Sequence, residues 1–515
     1  MKKHIRFFII VLLIPLPCFA GVTGLSPTWY STPDSASLQT AINGATAGDT
    51  INVSAGDGTE DYAANAVTIP QSKQPLKIIG PGASNLTINL TGHNALTIQS
   101  YAGSLTTPGT RISGFTFVSP LDSKYTAINA KGQGWRIDNN TYQCILTATA
   151  STGGFFVVVN DLNSTTSMAP YGVIDNNTVI NGKVNVSGPY SSASQSAAWY
   201  DALDLGGNTA TYVENNDFST TVNAKCLAID NDTAAKMVIR YNNFTNADTM
   251  THSLENDADR GTRKSEWYGN LYTLTQDGVH SFIEVQAGTG VAFYNNIVGA
   301  SGYSNYAFMV NNKRHTDVAI GWLGNCDGTV EQIWDGNEAG QSGSPCRDQI
   351  GLGADTTNWT GYNGTSCNVG SDCYNTISVQ SKIPFYAWQM IGAGNATVLN
   401  SDPTHIVANR DYYYTNSSFN GTSGVGCGTL GNRPVTCTIG VAYWATNQSC
   451  ADLTGMVGMN PATPISGTLY KCTATDTWTS YYTPYTYPHP LRGNRLTLGS
   501  GSTFSLGSGA GFTLN

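Results

Sequence analysis

YVENNDF at Tyr212 to Phe218, VIRYNNF ending at Phe244, EWYGNLY at Glu266 to Tyr272 and AFYNNIV at Ala292 to Val298 are four copies of one pattern. Aligned on their asparagines, they place Asn216, Asn243, Asn270 and Asn296 at intervals of 27, 27 and 26 residues. Earlier copies are RIDNNTY with Asn140 and VIDNNTV with Asn177, and RISGFTF carries Gly114 at the same point. Self-similarity at a fixed short period marks a repeat architecture. A unit this short, made of β-branched and aromatic residues alternating with polar ones, cannot bury its apolar face alone and must stack on its neighbours. Asn tolerates the left-handed backbone of a turn, and its amide can hydrogen-bond to the copy above. The pattern therefore predicts an all-β fold, a parallel β-solenoid with an internal asparagine ladder.

On these Asn-Asn copies the chain resembles the right-handed parallel β-helix superfamily of pectate lyases and polygalacturonases, over roughly residues 35–325. The resemblance implies coils of three short strands with an Asn ladder at the second turn. It also suits residues 37–50, SLQTAINGATAGDT, where Leu38, Ala41 and Ile42 share a helical face before a break at Gly48 and Asp49. A capping helix here would shield the open end of the first coil. The expected organisation is a signal peptide at 1–20 and a β-helix with its cap at 21–325. A loop-rich, Cys-containing continuation at 326–425, an aromatic and Cys-rich module at 426–490 and a Gly/Ser-rich tail at 491–515 follow.

Lys2, Lys3 and Arg6 precede an apolar run from Phe7 to Leu16 and then Cys18-Phe19-Ala20, the layout of a secretory signal cut after Ala20. No later stretch is long and apolar enough to span a bilayer as a helix, so a secreted or surface location on a bacterium is expected. The leader holds three of the 25 basic residues, leaving 22 against 34 acidic and a net charge of −12. That balance excludes a basic nucleic-acid footprint. Ten cysteines remain, an even number in an exported chain, which points to disulfides. The nearest neighbours in sequence, Cys326/Cys346, Cys367/Cys373, Cys427/Cys437 and Cys450/Cys472, are the expected pairs.

Each Asn-Asn strand is preceded by another candidate strand: ALDL at Ala202, LAID at Leu227, SLEN at Ser253, FIEV at Phe282 and FMVN at Phe308. Alternation then sends Asp204, Asp230, Glu255, Glu284 and Asn311 outward in one column. Strands of adjacent coils lie about 4.8 Å apart, so aligned carboxylates repel unless a cation or protons intervene. By resemblance, this strand lines the substrate groove, where acids bind calcium or act on sugars. Asp204, Asp230 and Glu255 are the expected Ca2+ ligands, and Glu255 and Glu284 with Arg260 and Lys264 are the expected catalytic groups. Asn311, Lys313 and Arg314 are the expected substrate-binding residues; Arg263 adds a further positive charge. A lyase needs a cation beside the uronate carboxylate and a base for its α-proton. The resulting expectation is a pectate-lyase-like protein acting on extracellular, acidic polysaccharide by calcium-assisted β-elimination. Two alternatives stay open: a glycoside hydrolase using paired carboxyls, and a non-enzymatic adhesin or structural solenoid.

Overall fold

The computed structural model describes residues 21–493 except 57–59, 62–65, 91–93, 121–124, 146–153, 161–168, 190–191, 222–226, 254–259, 277–278, 300–303, 313–345, 357–379 and 393–396. Within them the chain is mostly strand, and nearly all pairing in the repeat region is parallel. Each full repeat lays one short strand on each of three rows, an arrangement consistent with a β-helix. The first row includes Gln133–Asp138, Tyr171–Asp175, Thr211–Glu214, Lys236–Arg240 and Lys264–Tyr268. The second includes Thr178–Ile180, Asp217–Ser219, Asn243–Thr245 and Leu271–Thr273. The third runs through Gly182–Ser187, Leu227–Asp232, Asp248–Thr251, Ile283–Val285 and Ser304–Val310. All three rows turn alternate side chains into one core: Val213, Ile239 and Trp267 from the first, Phe218, Phe244 and Tyr272 from the second, Ile229, Ile283 and Phe308 from the third. Aromatic rings in register stack along the second row, Phe218 on Phe244 at 5.1 Å and Phe244 on Tyr272 at 4.9 Å.

At the N-terminal end, helix Ser35–Gly44 buries Leu38, Ala41 and Ile42 as expected. Its first turn is capped by Asp34, whose carboxylate accepts from the Ser37 N–H at 2.8 Å.

The asparagine ladder is present, but two of its rungs sit one residue earlier than the spacing suggested. Asn140, Asn177, Asn216, Asn242, Asn270 and Asn295 are the rungs; each of the first five donates from its backbone N–H to the side-chain oxygen of the next. The residue before each rung takes the left-handed conformation: Asn139, Asn176, Asn215, Tyr241, Gly269 and Tyr294. Where the motif reads Tyr-Asn-Asn, the tyrosine occupies that place and the first Asn becomes the rung. Asn295 illustrates the load: its oxygen accepts from Asn270 and its amide donates to the Trp267 and Phe293 carbonyls. Asn295→Ala strands these buried groups, each worth about 1–3 kcal/mol, and should lower unfolding free energy by on the order of 3 kcal/mol. Asn296→Ala, at a half-buried position beside it, should stay within about 0.5 kcal/mol. Denaturant titration of the two variants checks the register.

The outer face of the first row is covered by the chain's own C-terminal segment. Residues 425–482 form a four-stranded sheet from Val425–Gly428, Ala442–Ala445, Thr468–Ala474 and Thr477–Tyr482. Its Trp444, Leu469 and Tyr482 pack on Tyr212, Tyr268, Phe293 and Trp388. These aromatics are therefore packing groups. The module is held by Cys427–Cys450 and Cys437–Cys472, which cross over the nearest-neighbour pairs expected from spacing. Closing loops of 23 and 35 residues contributes about 3–4 kcal/mol each, and non-reducing peptide mapping should recover these crossed pairs. Cys346 is disulfide-bonded as well; Cys326, Cys367 and Cys373 lie outside the described residues.

Beneath this cover lies an aligned acidic column. Asp138, Asp175 and Glu214 are directly in register on consecutive repeats and fully buried. Arginines neutralise them: Arg111 on Asp138 at 2.7 Å, Arg136 on Asp175 at 2.8 Å, Arg240 on Glu214 at 2.6 Å. Arg492, from the far end of the described chain, reaches both Asp175 at 3.1 Å and Glu214 at 3.0 Å.

Candidate functional site

The third row carries a mixed polar stripe on its outer face. Val184, Val186, Ile229, Ile283 and Val285 point into the core, so alternation turns Lys183, Asn185, Asp230, Asp232 and Glu284 the other way. Register places Asn185 opposite Asp230, Asp230 opposite Met250, Met250 opposite Glu284, and Glu284 opposite Met309. Asp230 and Glu284 thus share one column with a methionine between them.

Asp230 is the centre of this stripe. One carboxylate oxygen takes the Lys183 ammonium at 2.9 Å, and the other faces His252 Nε2 at 3.2 Å. The Lys183 and His252 side chains are 19% and 18% exposed while that of Asp230 is 8% exposed, so a ligand on this face meets the ammonium and the imidazole before the acid. Burial alone would raise the Asp230 carboxyl, but His252, Lys183 and the Asn185 amide together hold it below its usual value. Two residues along, burial pushes the Asp232 carboxyl up; the Ser187 hydroxyl, donating at 2.6 Å, opposes this and the charge of Asp230 adds to it. Further along, Glu284 accepts from Gln286 at 2.8 Å and from Asn311 at 3.1 Å. Asn311 follows its strand by one residue and lies two positions past Glu284's partner Met309, yet its amide reaches the expected neighbour.

Other expected site residues are elsewhere. Asp204 is not on a strand: it has φ +53° and its carboxylate caps its own turn through the Thr209 N–H at 2.8 Å. In the repeat assigned to SLEN the strand is Asp248–Thr251, so Met250 takes the column position, and Glu255, Lys313 and Arg314 lie outside the described residues. Arg260 and Lys264 sit at the turn between the third and first rows, fully used in packing. Arg260 is stacked 4.7 Å over Trp199 and paired with Asp348 at 2.7 Å and Asp355 at 2.9 Å. Lys264 donates to the Asp204 carbonyl at 2.6 Å and lies 3.3 Å from Glu266. Arg263 donates to the carbonyls of Asp201 and Gly353. Sequence reasoning missed Lys183 and His252; the alternation of GKVNVS was the available signal for Lys183.

Lys236 lies beside these buried cations and donates to the Ala202 carbonyl at 2.8 Å. Burial, with Arg263 and Lys264 nearby, pulls its ammonium down from 10.5 to about 7. The unfolded chain therefore holds a proton there that the native state gives up between about pH 7 and 10.5, so this group makes stability rise with pH across that window. Lys236→Met should flatten the rise in unfolding free energy measured between pH 7 and 9.

Among the described residues no three His, Cys, Asp or Glu side chains converge as a metal-binding group, and no helix is long and apolar enough to cross a membrane. No protein-family model matches the chain, and no curated protein does. Among solved structures, a mutant of an alginate lyase of the PL6 family is similar at 12% identity with a TM-score of 0.36, covering 90% of this chain. The match spans 57% of that lyase chain. A likeness at this level does not bear on the chemistry of the stripe, which rests on the geometry above.

Proposed function

We propose that the protein is an exported, right-handed parallel β-helix that binds and cleaves an acidic polysaccharide along the outer face of its third row, by β-elimination. The observation that carries this reading is the Lys183–Asp230–His252 cluster, a buried ionised carboxylate flanked by two partly exposed groups that can carry positive charge. A linear polymer laid along the strand-stacking direction would meet Lys183, then His252 two repeats on, and would run toward Asn311. Lys183 would neutralise a uronate carboxylate, and the His252 imidazole, acting in its neutral form, would take the α-proton. The electron pair left behind forms the carbon–carbon double bond as the glycosidic C–O bond breaks, and the departing oxygen takes a proton from water.

Calcium is part of this proposal, with a different ligand set from the one expected at the outset. Asn185, Asp230 and Asp232 offer hard oxygens on adjacent repeats, and Asp230 Oδ1 is buried with the His252 Nε2 at 3.2 Å. Calcium takes six to eight oxygens, so water and the uronate would supply the rest. Bound there, the ion would supply positive charge against the uronate carboxylate.

A second reading has one observation behind it. Asp230 and Glu284 are two strands apart, about 10 Å along the row, close to the separation of the paired carboxyls in inverting hydrolases. Incubating purified mature protein with a panel of polyuronates and neutral glycans, with calcium or chelator, separates the cases. Unsaturated product that fades with chelator supports calcium-assisted elimination. Reducing ends without unsaturation support hydrolysis, and retention of glycan with neither signal supports an adhesin.

A further inference from the structure

The C-terminal module contains a cavity of about 280 Å3 lined by Leu430, Thr446, Asn447, Ser466, Thr468 and Tyr470 among others. It lies in the module that covers the first row, and none of its residues belongs to the third-row stripe. We infer that it is a second saccharide site, one that takes a single neutral sugar unit.

The lining chemistry supports that ligand class. Hydroxyls of Thr446, Ser466, Thr468 and Tyr470 and the amide of Asn447 are a donor–acceptor set suited to sugar hydroxyls. Leu430, 51% exposed, and the Tyr470 ring offer apolar surface for the C–H face of a pyranose. None of the lining residues carries a charge, and the nearby Arg433 guanidinium lies over the Tyr470 and Trp478 rings without being part of the lining, which suits a neutral ring. The volume is at the lower edge of the roughly 300–1,000 Å3 usual for small-molecule pockets, which suits one ring rather than an extended chain.

The cavity is also built in advance of any ligand, which lowers the cost of binding. Arg433 lies 4.4 Å over the Tyr470 ring and 5.4 Å from the Trp478 ring, fixing the tyrosine wall. Thr446 donates to the Ser466 carbonyl at 2.8 Å and accepts from the Gln448 N–H at 3.0 Å. Gln448 in turn bridges the Pro464 carbonyl and the Ser466 N–H, both at 2.9 Å. Behind them the chain passes so close to buried Trp444 that a Cβ at Gly467 would lie 2.5 Å from the indole. The Tyr443 hydroxyl donates to the Thr429 carbonyl at 3.1 Å, anchoring the segment that presents Leu430.

Saturation-transfer NMR on the mature full-length protein with the methyl glycosides of glucose, galactose and mannose tests the assignment. At least one glycoside should receive saturation. Ser466→Trp, which fills the cavity from an exposed position, should abolish the transfer, and Asn447→Ala should weaken affinity threefold or more, each with an unchanged melting temperature. Asp230→Asn should leave it unaltered, which separates failure of this site from failure of the third-row proposal. Absence of transfer from all three glycosides, or transfer that persists in both cavity variants, overturns the inference. If Ser466→Trp melts early, the Asn447→Ala result decides alone.

Discussion

Replacing Arg240 with Met is expected to lower the free energy of unfolding by about 3–5 kcal/mol, the cost of leaving a buried charge without its partner. Arg240 is fully buried; besides pairing with Glu214 at 2.6 Å it donates to the Tyr485 carbonyl at 2.7 Å and the Thr486 carbonyl at 2.9 Å. It therefore joins the repeat stack to the C-terminal segment, and the variant should expose residues near 485 to protease while the stack stays folded. Burial would raise the Glu214 carboxyl, but Arg240, then Arg492 and His489, bring it down from 4.5 to about 2. A group depressed in this way contributes stability above pH 4.5 that is lost as pH falls toward 2, so acid should release the segment in the wild type. The double variant Arg240→Met/Glu214→Leu removes both charges and should recover most of the loss. Denaturant titration at pH 7 and limited proteolysis at pH 7 and, with an acid protease, near pH 2 check these outcomes.

Replacing Asp230 with Asn is expected to lower kcat/KM on the cleaved polyuronate by about 10²–10⁴, the range for a positioned acid–base system. The side chain keeps its shape but loses the charge that holds Lys183 and His252 on either side. His252→Ala should lower kcat by a similar factor with little change in KM, because it removes the proton acceptor alone. Lys183→Met should act mainly through KM, since the ammonium meets the substrate carboxylate before and during the reaction. Asp232→Asn should weaken the calcium dependence more than the limiting rate. Initial rates of unsaturated-product formation for the four variants distinguish these roles.

Much of the architecture is legible from the Asn-containing motif, because a ladder needs the same residue at the same turn of every repeat. Which Asn of a pair forms the rung is not legible. Tyr241 and Tyr294 adopt positive φ, a conformation seldom taken by a bulky residue, so the eye assigns the left-handed place to Asn and slips the register by one. The slip at SLEN has a similar origin. Thr249 and Thr251 are fully buried, and Thr249 satisfies its hydroxyl on the Phe282 carbonyl; polar β-branched residues facing inward hide the alternation that marks a strand. ALDL reads as a strand but belongs to the long excursion between Ser187 and Thr211. There the carbonyls of Asp201, Ala202 and Asp204 take Arg263, Lys236 and Lys264.

The column expected at Asp204, Asp230, Glu255 and Glu284 does not form as such among the described residues; a different acidic column, Asp138, Asp175 and Glu214, stands in register on the first row. It was visible in the motif itself as the acid just before each Asn-Asn, and VIRY supplies an arginine at that point in the next repeat. Arginines compensate these first-row acids, and Arg492 ties the column to the C-terminal segment. On the third row, among the described residues, Asp230 and Glu284 share a column, and the groups that complete the site, Lys183 and His252, come from different repeats brought together by register.

The most direct test of the third-row proposal is a crystal structure of His252→Ala with an oligouronate bound. The chain should lie along the third row, with a uronate carboxylate against Lys183 and later units running toward Asn311. An oligouronate seated on another face, or no bound sugar at saturating concentration, would contradict it.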